Sequence, residues 1–156
     1  MYKRQIESSI IKQGASIGPF SRLRNGAEIG QDSKIGNFVE IKNSSLEEGV
    51  KVSHLSYIGD AEIGENSNIG AGTITCNYDG VDKHKTTIGK RAFIGSNSSL
   101  IAPLSIGDDA NIAAGSSISK DVESGSLAIT RAPIKFISNW SKKLRKSSSE
   151  EEKCAE

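Results

Sequence analysis

The sequence contains few of the side chains that build disulfides and metal sites. Its 156 residues include two cysteines, two histidines and 5% aromatic residues. Cys76 and Cys154 lie too far apart along the chain to suggest a disulfide framework or a zinc site. A catalytic zinc usually has about three protein ligands, and His54 and His84 do not supply them. We therefore expect a protein that works without a bound metal.

Long apolar runs and an excess of one charge are also absent. No segment approaches the ~20 apolar residues that span a bilayer, and the first residues lack the apolar core of a signal peptide. The 20 basic and 19 acidic residues leave a formal net charge of +1, which gives no electrostatic reason to expect a nucleic-acid or membrane partner. We expect a cytoplasmic protein with neither partner.

Aliphatic residues recur at every sixth position along most of the chain. An α-helix would repeat them every three or four residues and a strand every two, so a step of six indicates a repeat architecture. The step shortens to five at two places, and the repeat is interrupted once at length. The aliphatic positions are Ile11, Ile17, Leu23, Ile29, Ile35, Ile41, Leu46, Val52, Ile58, Ile63 and Ile69, then Ile88, Ile94, Leu100, Ile106, Ile112 and Ile118.

A second position, four residues after the aliphatic one, is mostly small or β-branched, as at Ala15, Ser33 and Ser67. Glycine often follows the aliphatic residue, as in Ile29-Gly30. We expect the aliphatic side chain to point inward and the small one to fill a tight corner, with glycine, asparagine or aspartate permitting the turn. Three hexads then form one triangular coil. A β-sandwich, the alternative, would space its turns less regularly.

The repeat predicts an all-β fold. The hexapeptide pattern resembles the left-handed parallel β-helix class, an exception to the right-handed rule for parallel crossovers. The pattern breaks over residues 76–87, where the polar segment CNYDGVDKHKTT should leave the coil as an excursion loop. We assign residues 1–130 to the β-helix. Residues 131–156 are expected to form a short C-terminal cap, with a helix after Pro133, and a largely disordered tail.

Histidine and basic residues carry the candidate chemistry. His54 lies two residues after an aliphatic position, where side chains should point outward. It is either an exposed residue that packs against a neighbouring subunit or a general base. We expect His84 to be a solvated loop residue and Cys76 to be buried rather than nucleophilic.

Basic residues are candidate ligands for a phosphorylated substrate, although each is also a typical surface charge. Glu40 lies two residues before Lys42 on the same strand face, so an ordinary ion pair between them is expected. The candidate phosphate ligands are Arg22, Arg24, Lys42, Lys83 and Lys85.

Four segments resemble a known family: GPFSRLRNGAEIG, GNFVEIK, SHLSYIGDAEIGENSNIGAGTITCNYDG and KHKTTIG. They are similar to the acetyltransferase domain of the bifunctional bacterial N-acetylglucosamine-1-phosphate uridyltransferase/glucosamine-1-phosphate acetyltransferase family, over roughly Ile11 to Trp140. The resemblance implies a left-handed β-helix that forms a homotrimer with active sites between subunits. It also implies transfer of an acetyl group from acetyl-CoA to the amine of glucosamine 1-phosphate, a step of UDP-N-acetylglucosamine and peptidoglycan biosynthesis.

The resemblance also implies a role for each matching residue. His54 matches the catalytic base, and Asn77 and Tyr78 match the loop pair near the amine and the acetyl donor. The remaining matches are phosphate ligands (Arg24, Lys42, Lys83), sugar contacts (Tyr57, Asn68), a residue near the base and sugar (Glu40) and acetyl-CoA contacts (Ala71, Ser96, Ala114, Arg131).

Two departures from the family are visible. Residues 1–16 cannot stand for the family's upstream nucleotidyltransferase domain, so we expect no uridylyl transfer, from either an excised domain or a natural separate protein. Asn25 stands where the family usually has proline, which changes one turn. Two alternatives stay open: another hexapeptide-repeat acyltransferase, acting on serine, a different sugar or a lipid A precursor, and a non-catalytic trimeric scaffold. An ice-binding β-helix is disfavoured because the outward positions are charged and irregular.

Overall fold

The fold is built from short β-strands. The computed structural model describes residues 3–141. The strands are β1 (Gln5–Ile6), β2 (Ile10–Ile11), β3 (Ser16–Ile17), β4 (Arg22–Leu23), β5 (Ala27–Ile29), β6 (Lys34–Asn37), β7 (Glu40–Lys42), β8 (Ser44–Leu46), β9 (Lys51–His54), β10 (Tyr57–Gly59), β11 (Ala61–Ile63), β12 (Asn68–Ile69), β13 (Ile74–Cys76), β14 (Thr86–Ile88), β15 (Phe93–Ile94), β16 (Ser99–Ile101), β17 (Leu104–Ile106), β18 (Asn111–Ile112), β19 (Ser117–Ile118) and β20 (Leu127–Ala128).

From β1 to β19, every third strand belongs to the same parallel sheet, and the last strand, β20, joins β18. Sheet 1 contains β1, β4, β7, β10, β13, β16 and β19. Sheet 2 contains β2, β5, β8, β11, β14 and β17, and sheet 3 contains β3, β6, β9, β12, β15, β18 and β20. Paired residues such as Leu23 and Ile41 lie 18 positions apart, and Ile41 and Ile58 lie 17 apart. Three strands therefore make one coil, and the all-β, parallel β-helix of hexapeptide repeats is confirmed, in a form consistent with the left-handed class.

The aliphatic repeat forms the core. Its residues from Ile17 to Ile118 are buried and stack in register, one coil above the next. Ile11 is more exposed because β2 is the edge strand of sheet 2 and has a neighbour on one side only. Each coil thus buries only a few side chains, which explains how a chain with few aromatic residues forms a continuous core.

Serine hydroxyls at the position four residues after the aliphatic one connect consecutive coils. Ser33 Oγ donates to Glu47 O at 2.9 Å and accepts the N–H of Val50 at 3.1 Å. Ser67 Oγ donates to Gly89 O at 2.7 Å and accepts the N–H of Ala92 at 2.9 Å. Backbone groups that the turns would leave unpaired are thereby satisfied inside the protein.

The glycines that follow aliphatic residues are needed for a different reason from the predicted one. Their φ values are not positive; positive φ belongs to other corner residues, such as Asp32 and Asn66. A Cβ on Gly95 would instead lie 2.7 Å from Ala114 Cα in the next coil. Close approach of a neighbouring part of the structure, most often the backbone of the next coil, rather than turn conformation, therefore explains these glycines.

The excursion loop is shorter than predicted. Cys76 ends β13, and Thr86 and Thr87 begin β14, so the loop covers residues 77–85. Both strands keep their places in the coil, and paired residues across the loop, such as Ile63 and Ile88, are 25 positions apart. Cys76 is half-buried rather than buried, because it lies at the mouth of the loop.

The C-terminal cap differs from the prediction. The last strand ends at Ala128, and no strand or helix follows until a helical turn that begins at Trp140, within the described range. Ile134 and Phe136 are largely exposed, so the predicted helix after Pro133 that covers the coil end is wrong for residues 131–139. The rest of the predicted tail, from residue 142, lies outside the described residues, and the boundary at residue 130 stays a prediction.

Candidate functional site

The outer face of sheet 1 carries two rows of polar side chains. In the first row, Glu40 pairs in register with Arg22 and with Tyr57. The second row contains Arg24 and Lys42, which lie in consecutive coils, each one residue after an inward aliphatic. Because alternate strand residues point to opposite faces, burying the aliphatic ladder forces these polar side chains outward together.

Arg24 and Glu40 form an ion pair across two coils. Arg24 Nη1 donates to Glu40 Oε1 at 2.9 Å, and both side chains are about one-third exposed. The expected pair between Glu40 and Lys42 is not formed among the described residues. Lys42 therefore keeps its charge available for another partner.

Lys42 and Lys83 bring two positive charges together. Hydrogen-bonding contact with the Lys83 amine, and then its positive charge, lower the pKa of Lys42; Arg24 lowers it further, and Asp60 opposes the shift. Lys83 comes from the excursion loop, Lys42 is the last residue of β7, and Arg24 directly follows β4. Three cations that repel one another at one place form an arrangement that an anion would stabilise.

Asp60 is the acidic group of this cluster, and it is not among the site residues predicted from the sequence. Its carboxylate accepts hydrogen bonds from the side-chain amides of Asn43 and Asn77. Partial burial raises its pKa, but these two hydrogen bonds and the charges of Lys42 and Lys83 outweigh burial and lower it. The signal in the sequence was its place directly after the Ile58-Gly59 step, at the corner next to the loop.

Asn77 is the first residue of the loop and is buried. The Tyr57 hydroxyl and the Asn77 amide both lie over Gly59, where a Cβ would come within 2.7 Å of the Tyr57 ring and 2.9 Å of Asn77 Nδ2. Gly59 therefore leaves the space in which these two predicted site residues meet.

The loop is held by its own hydrogen bonds. The Asp79 carboxylate pairs with His84 Nε2 at 2.7 Å and accepts the N–H groups of Val81 and Asp82, each at 2.8 Å. The hydrogen bond to His84 and the two backbone bonds hold the pKa of Asp79 far below its usual value. His84 is thus half-buried and paired rather than simply solvated. The Tyr78 hydroxyl donates to Gly80 O at 2.6 Å.

The predicted base and the predicted acetyl-CoA contacts occupy one corner, where sheet 3 turns into sheet 1. Apart from Arg131, each lies two residues after an inward aliphatic of sheet 3, and those aliphatics pair in register. Asn97 N donates to Ala71 O at 2.7 Å, and Gly115 N donates to Ser96 O at 2.8 Å, which continues the stack. The Arg131 side chain lies beside Gly115. The stacked corner residues are Asn37, His54, Ala71, Ser96 and Ala114.

Asn68 is not brought to the other predicted sugar contacts. It lies on sheet 3 between Lys51 and Phe93, whereas Tyr57 and Glu40 lie on sheet 1. Within one chain these side chains occupy different faces of the triangular coil. The predicted roles of all these residues stay predictions.

A groove adjoins this cluster on the side of sheet 2. Its volume is about 410 Å³, and its lining includes Asn43, Asp60, Lys83, His84 and Lys85. Of the predicted phosphate ligands, the lining includes Lys83 and Lys85 but neither Arg24 nor Lys42, so the groove and the cationic cluster share a border rather than coincide. The predicted site is an open surface on this chain.

Residues 3–141 contain neither a cluster of metal ligands nor a helix suited to a bilayer. No group of three or more His, Cys, Asp or Glu side chains is placed to hold a metal ion. No helix in the same part of the chain has the length and apolarity needed to cross a bilayer.

Two family models match the repeats. Residues 8–43 match the bacterial transferase hexapeptide (six repeats), and residues 85–120 match the hexapeptide repeat of succinyl-transferase. Both matched segments begin and end within the β-helix, so the repeat read from the sequence is the one that these models describe.

Curated relatives match most of this chain. It is 55% identical over 140 residues to bifunctional protein GlmU of Francisella philomiragia, and 58% identical over 141 residues to the protein of the same name of Thermodesulfovibrio yellowstonii. Each match covers 90% of this chain and 31% of the relative. The chain thus spans about a third of the length of the curated relatives it matches.

Solved structures share the fold at low sequence identity. A putative acetyltransferase of Bacillus cereus superposes with a TM-score of 0.65 at 18% identity, covering 94% of this chain and 92% of that one. PerB of Caulobacter crescentus, solved with CoA and GDP-perosamine, gives a TM-score of 0.59 at 22% identity, covering 85% of this chain and 58% of that one. These similarities concern the fold.

Proposed function

Since the chain belongs to the hexapeptide-repeat proteins, as a homologue of the acetyltransferase part of bifunctional protein GlmU, we propose that it is an acetyl-CoA-dependent N-acetyltransferase. The proposed acceptor is glucosamine 1-phosphate, and the product is N-acetylglucosamine 1-phosphate, a precursor of UDP-N-acetylglucosamine. The proposed setting is the cytoplasm, where the free thiol of Cys76 suits a reducing compartment.

The contact between Lys42 and Lys83 carries the choice of acceptor. Hydrogen bonding with the Lys83 amine, then its positive charge, and more weakly Arg24, lower the pKa of Lys42, so a dianionic phosphate bound beside these groups would relieve their repulsion. An amino sugar without a phosphate would leave this repulsion in place. The phosphate of glucosamine 1-phosphate therefore suits this cluster better than an uncharged acceptor.

The chemistry needs a base, an amine and a thioester. The neutral amine nitrogen attacks the thioester carbonyl carbon, the carbon–sulfur bond breaks, and coenzyme A leaves as a thiolate that receives the amine's proton by way of the base. We assign the proton released by the amine to His54, which is exposed and accessible to substrate. Asn77, buried beside Tyr57, is the proposed contact to the reacting amine, and Tyr78 lies next to it in the chain.

The stacked corner residues suit an extended cofactor. Ala71, Ser96 and Ala114 present small side chains and backbone groups along three consecutive coils, with Arg131 at the end of the row. An acetyl-CoA molecule lying along this corner would bring its thioester towards His54, one coil before Ala71. Arg131 would then pair with phosphate groups of the cofactor.

A homotrimer completes the proposed site. Tyr57 and Glu40 lie on sheet 1 and Asn68 on sheet 3, so one acceptor is contacted by all three only if neighbouring subunits place these faces together. The exposed side chains of Phe20, Phe38 and Leu55, next to the His54 corner, are the proposed contact between subunits.

The test is acetyl transfer measured by release of coenzyme A, with EDTA present and no added metal. We expect turnover with glucosamine 1-phosphate and little with glucosamine, because the unphosphorylated sugar cannot use the cationic cluster. Equal turnover of both sugars would contradict the assigned acceptor. No release with either, from folded protein, would contradict the enzyme assignment and favour a scaffold.

A further inference from the structure

Asp60 contacts both ends of the excursion loop. Its carbonyl accepts the N–H of Thr86, the first residue after the loop, at 3.1 Å. Its carboxylate accepts the side-chain N–H of Asn77, the first residue of the loop. Its own N–H donates to Lys42 O at 3.1 Å. One residue thus joins the loop to the coil that carries the cationic cluster.

The carboxylate of Asp60 is fixed from two sides. Asn43 Nδ2 donates to Oδ1 at 2.5 Å, and Asn77 Nδ2 donates to Oδ2. The backbone of Asp60 has a φ of 50°, a left-handed conformation that aspartate tolerates better than most residues. Two amides bound to different oxygens prevent the carboxylate from rotating, so the direction of its hydrogen bond to Asn77 is set.

An ionised carboxylate can only accept hydrogen bonds. The hydrogen bonds and neighbouring lysines that lower the pKa of Asp60 keep it ionised at neutral pH. It therefore selects the Asn77 orientation in which the NH₂ group faces Asp60, since the flipped amide would place two oxygens against each other. Asn77 Oδ1 then faces away, and it has no partner among the described residues.

We propose that Asp60 is a positioning residue that orients the Asn77 side chain for acetyl transfer. With its NH₂ group held by Asp60, Asn77 presents a carbonyl oxygen that accepts an N–H of the attacking amine and so directs the amine lone pair at the thioester. Asp60 does not touch the reacting atoms and acts through Asn77. This inference rests on the proposed function.

The test compares Asp60→Asn in two backgrounds. The new amide keeps the shape of Asp60 but can face Asn77 with either end, so the orientation of Asn77 is no longer imposed. We expect kcat to fall about 10²-fold, the usual cost of a misplaced group. The KM for glucosamine 1-phosphate should not rise, because a negative charge has been removed beside Lys42 and Lys83. When Asn77 is already alanine, Asp60→Asn should have almost no further effect on kcat.

Asp32→Asn is the matched control, since Asp32 also occupies a left-handed corner but lies where sheet 2 turns into sheet 3. It should keep wild-type kcat, and melting temperatures should show that all variants are folded. An unchanged kcat in Asp60→Asn, or the same loss in the Asn77→Ala background, would overturn the positioning role while leaving the proposed function intact. A wild type without any transfer would overturn the proposed function, and this inference with it.

Discussion

Three apolar residues occupy a backbone conformation that usually belongs to glycine or asparagine. Phe20, Phe38 and Leu55 have φ values of 59°, 57° and 48° and stand in one column at the corner before sheet 1, where later coils have Gly72 and Gly115. The Phe20 and Phe38 rings stack at 5.3 Å. This conformation costs a residue with a Cβ roughly 1–2 kcal/mol, yet all three side chains are at least half exposed. Strained and exposed apolar side chains support the proposed contact between subunits at this column.

The lysine contact gives a prediction at the residue scale. Lys83→Met removes the hydrogen-bonding contact and the positive charge that lower the pKa of Lys42, so that pKa should rise towards its usual value. The KM for glucosamine 1-phosphate should rise by a factor of roughly 10 or more, since a charge-assisted hydrogen bond contributes about 1.5–3 kcal/mol. The Lys42 pKa is followed by NMR titration of its ε-carbon, and KM by coenzyme A release.

Lys34→Met is the control for this variant, because Lys34 lies on sheet 3, away from the cluster. It should leave both the Lys42 pKa and the KM unchanged. An unaltered Lys42 pKa in Lys83→Met would show that Lys83 does not lower the pKa of Lys42.

At the scale of the element, Thr75 explains how β13 releases the chain into the loop. It occupies the inward position that Ile58 and Leu100 hold in neighbouring coils. Its hydroxyl accepts the N–H of Gly59 at 2.8 Å, in place of a backbone carbonyl. The Thr75 carbonyl accepts the N–H of Asn77 at 3.0 Å instead. A side chain thus replaces a backbone partner, and the strand can turn away without leaving a buried donor unpaired.

Replacing Thr75 with valine should therefore remove the hydrogen bond between the Thr75 hydroxyl and Gly59 of the neighbouring coil. Valine keeps the shape but leaves the buried Gly59 N–H without a partner, so the free energy of unfolding should fall by about 1–3 kcal/mol. Urea unfolding measures this change. Thr87→Val, at an outward position of β14, is the control and should be near neutral. Equal effects of the two variants would contradict the assigned role of the Thr75 hydroxyl.

The loop itself should loosen in acid. The pKa of Asp79 is far below its usual value because of His84 and two backbone N–H groups. A lowered carboxyl pKa contributes stability that is fully present above the unfolded-state pKa, about 4 for aspartate, and that is lost as the pH falls through the folded-state pKa. Hydrogen exchange of residues 77–85, corrected for intrinsic rates, should therefore quicken below about pH 4.

Asp79→Asn should remove this pH dependence, because asparagine does not titrate. Asp82→Asn should keep it, since Asp82 contributes its backbone N–H to the loop. Identical pH profiles for wild type and Asp79→Asn would show that the Asp79 carboxylate does not hold the loop.

The strands were predictable wherever the six-residue repeat alone determines their position. A step of six in aliphatic residues sufficed for the strands and for the inward side of each, because burial fixes which face a strand residue occupies. Which residues fill the corners was not predictable in the same way. Within the two five-residue steps, the buried corner residues are Ser44 and Ala61, three residues after the aliphatic one. The pattern had indicated Ser45 and Glu62, four residues after it. The loop bounds were missed because Thr75 and Thr86 are inward residues that are not aliphatic.

The candidate site was predictable only in its outward residues. The cationic set and the histidine corner follow from the repeat frame, and the resemblance supplied their proposed roles. Asp60 and Gly59 were missed because their significance depends on contacts across the coil and with the loop, which a linear pattern does not contain. The pairing of Glu40 with Arg24, rather than Lys42, was missed for the same reason: partners one coil away are 16 or more residues apart.

At the scale of the whole molecule, the exposed apolar column predicts assembly. Phe38→Glu should convert a trimer into smaller species, because it places a charge in a contact that would otherwise be desolvated. Sedimentation equilibrium measures the mass. Thr87→Glu adds the same charge to the outer face of sheet 2 and should leave the mass unchanged. A wild type that sediments as a monomer would contradict the shared active site.

Acetyl transfer by wild type and by His54→Ala is the measurement that tests the central claim most directly. Release of coenzyme A is followed with acetyl-CoA and glucosamine 1-phosphate, and Asn37→Ala, which alters the register partner of His54 one coil earlier, serves as the control. We predict a loss of about 10²–10⁴-fold in kcat for His54→Ala, the usual contribution of a general base, and wild-type turnover for Asn37→Ala. An active wild type whose turnover survives the loss of His54, or a folded wild type that releases no coenzyme A, would contradict the account.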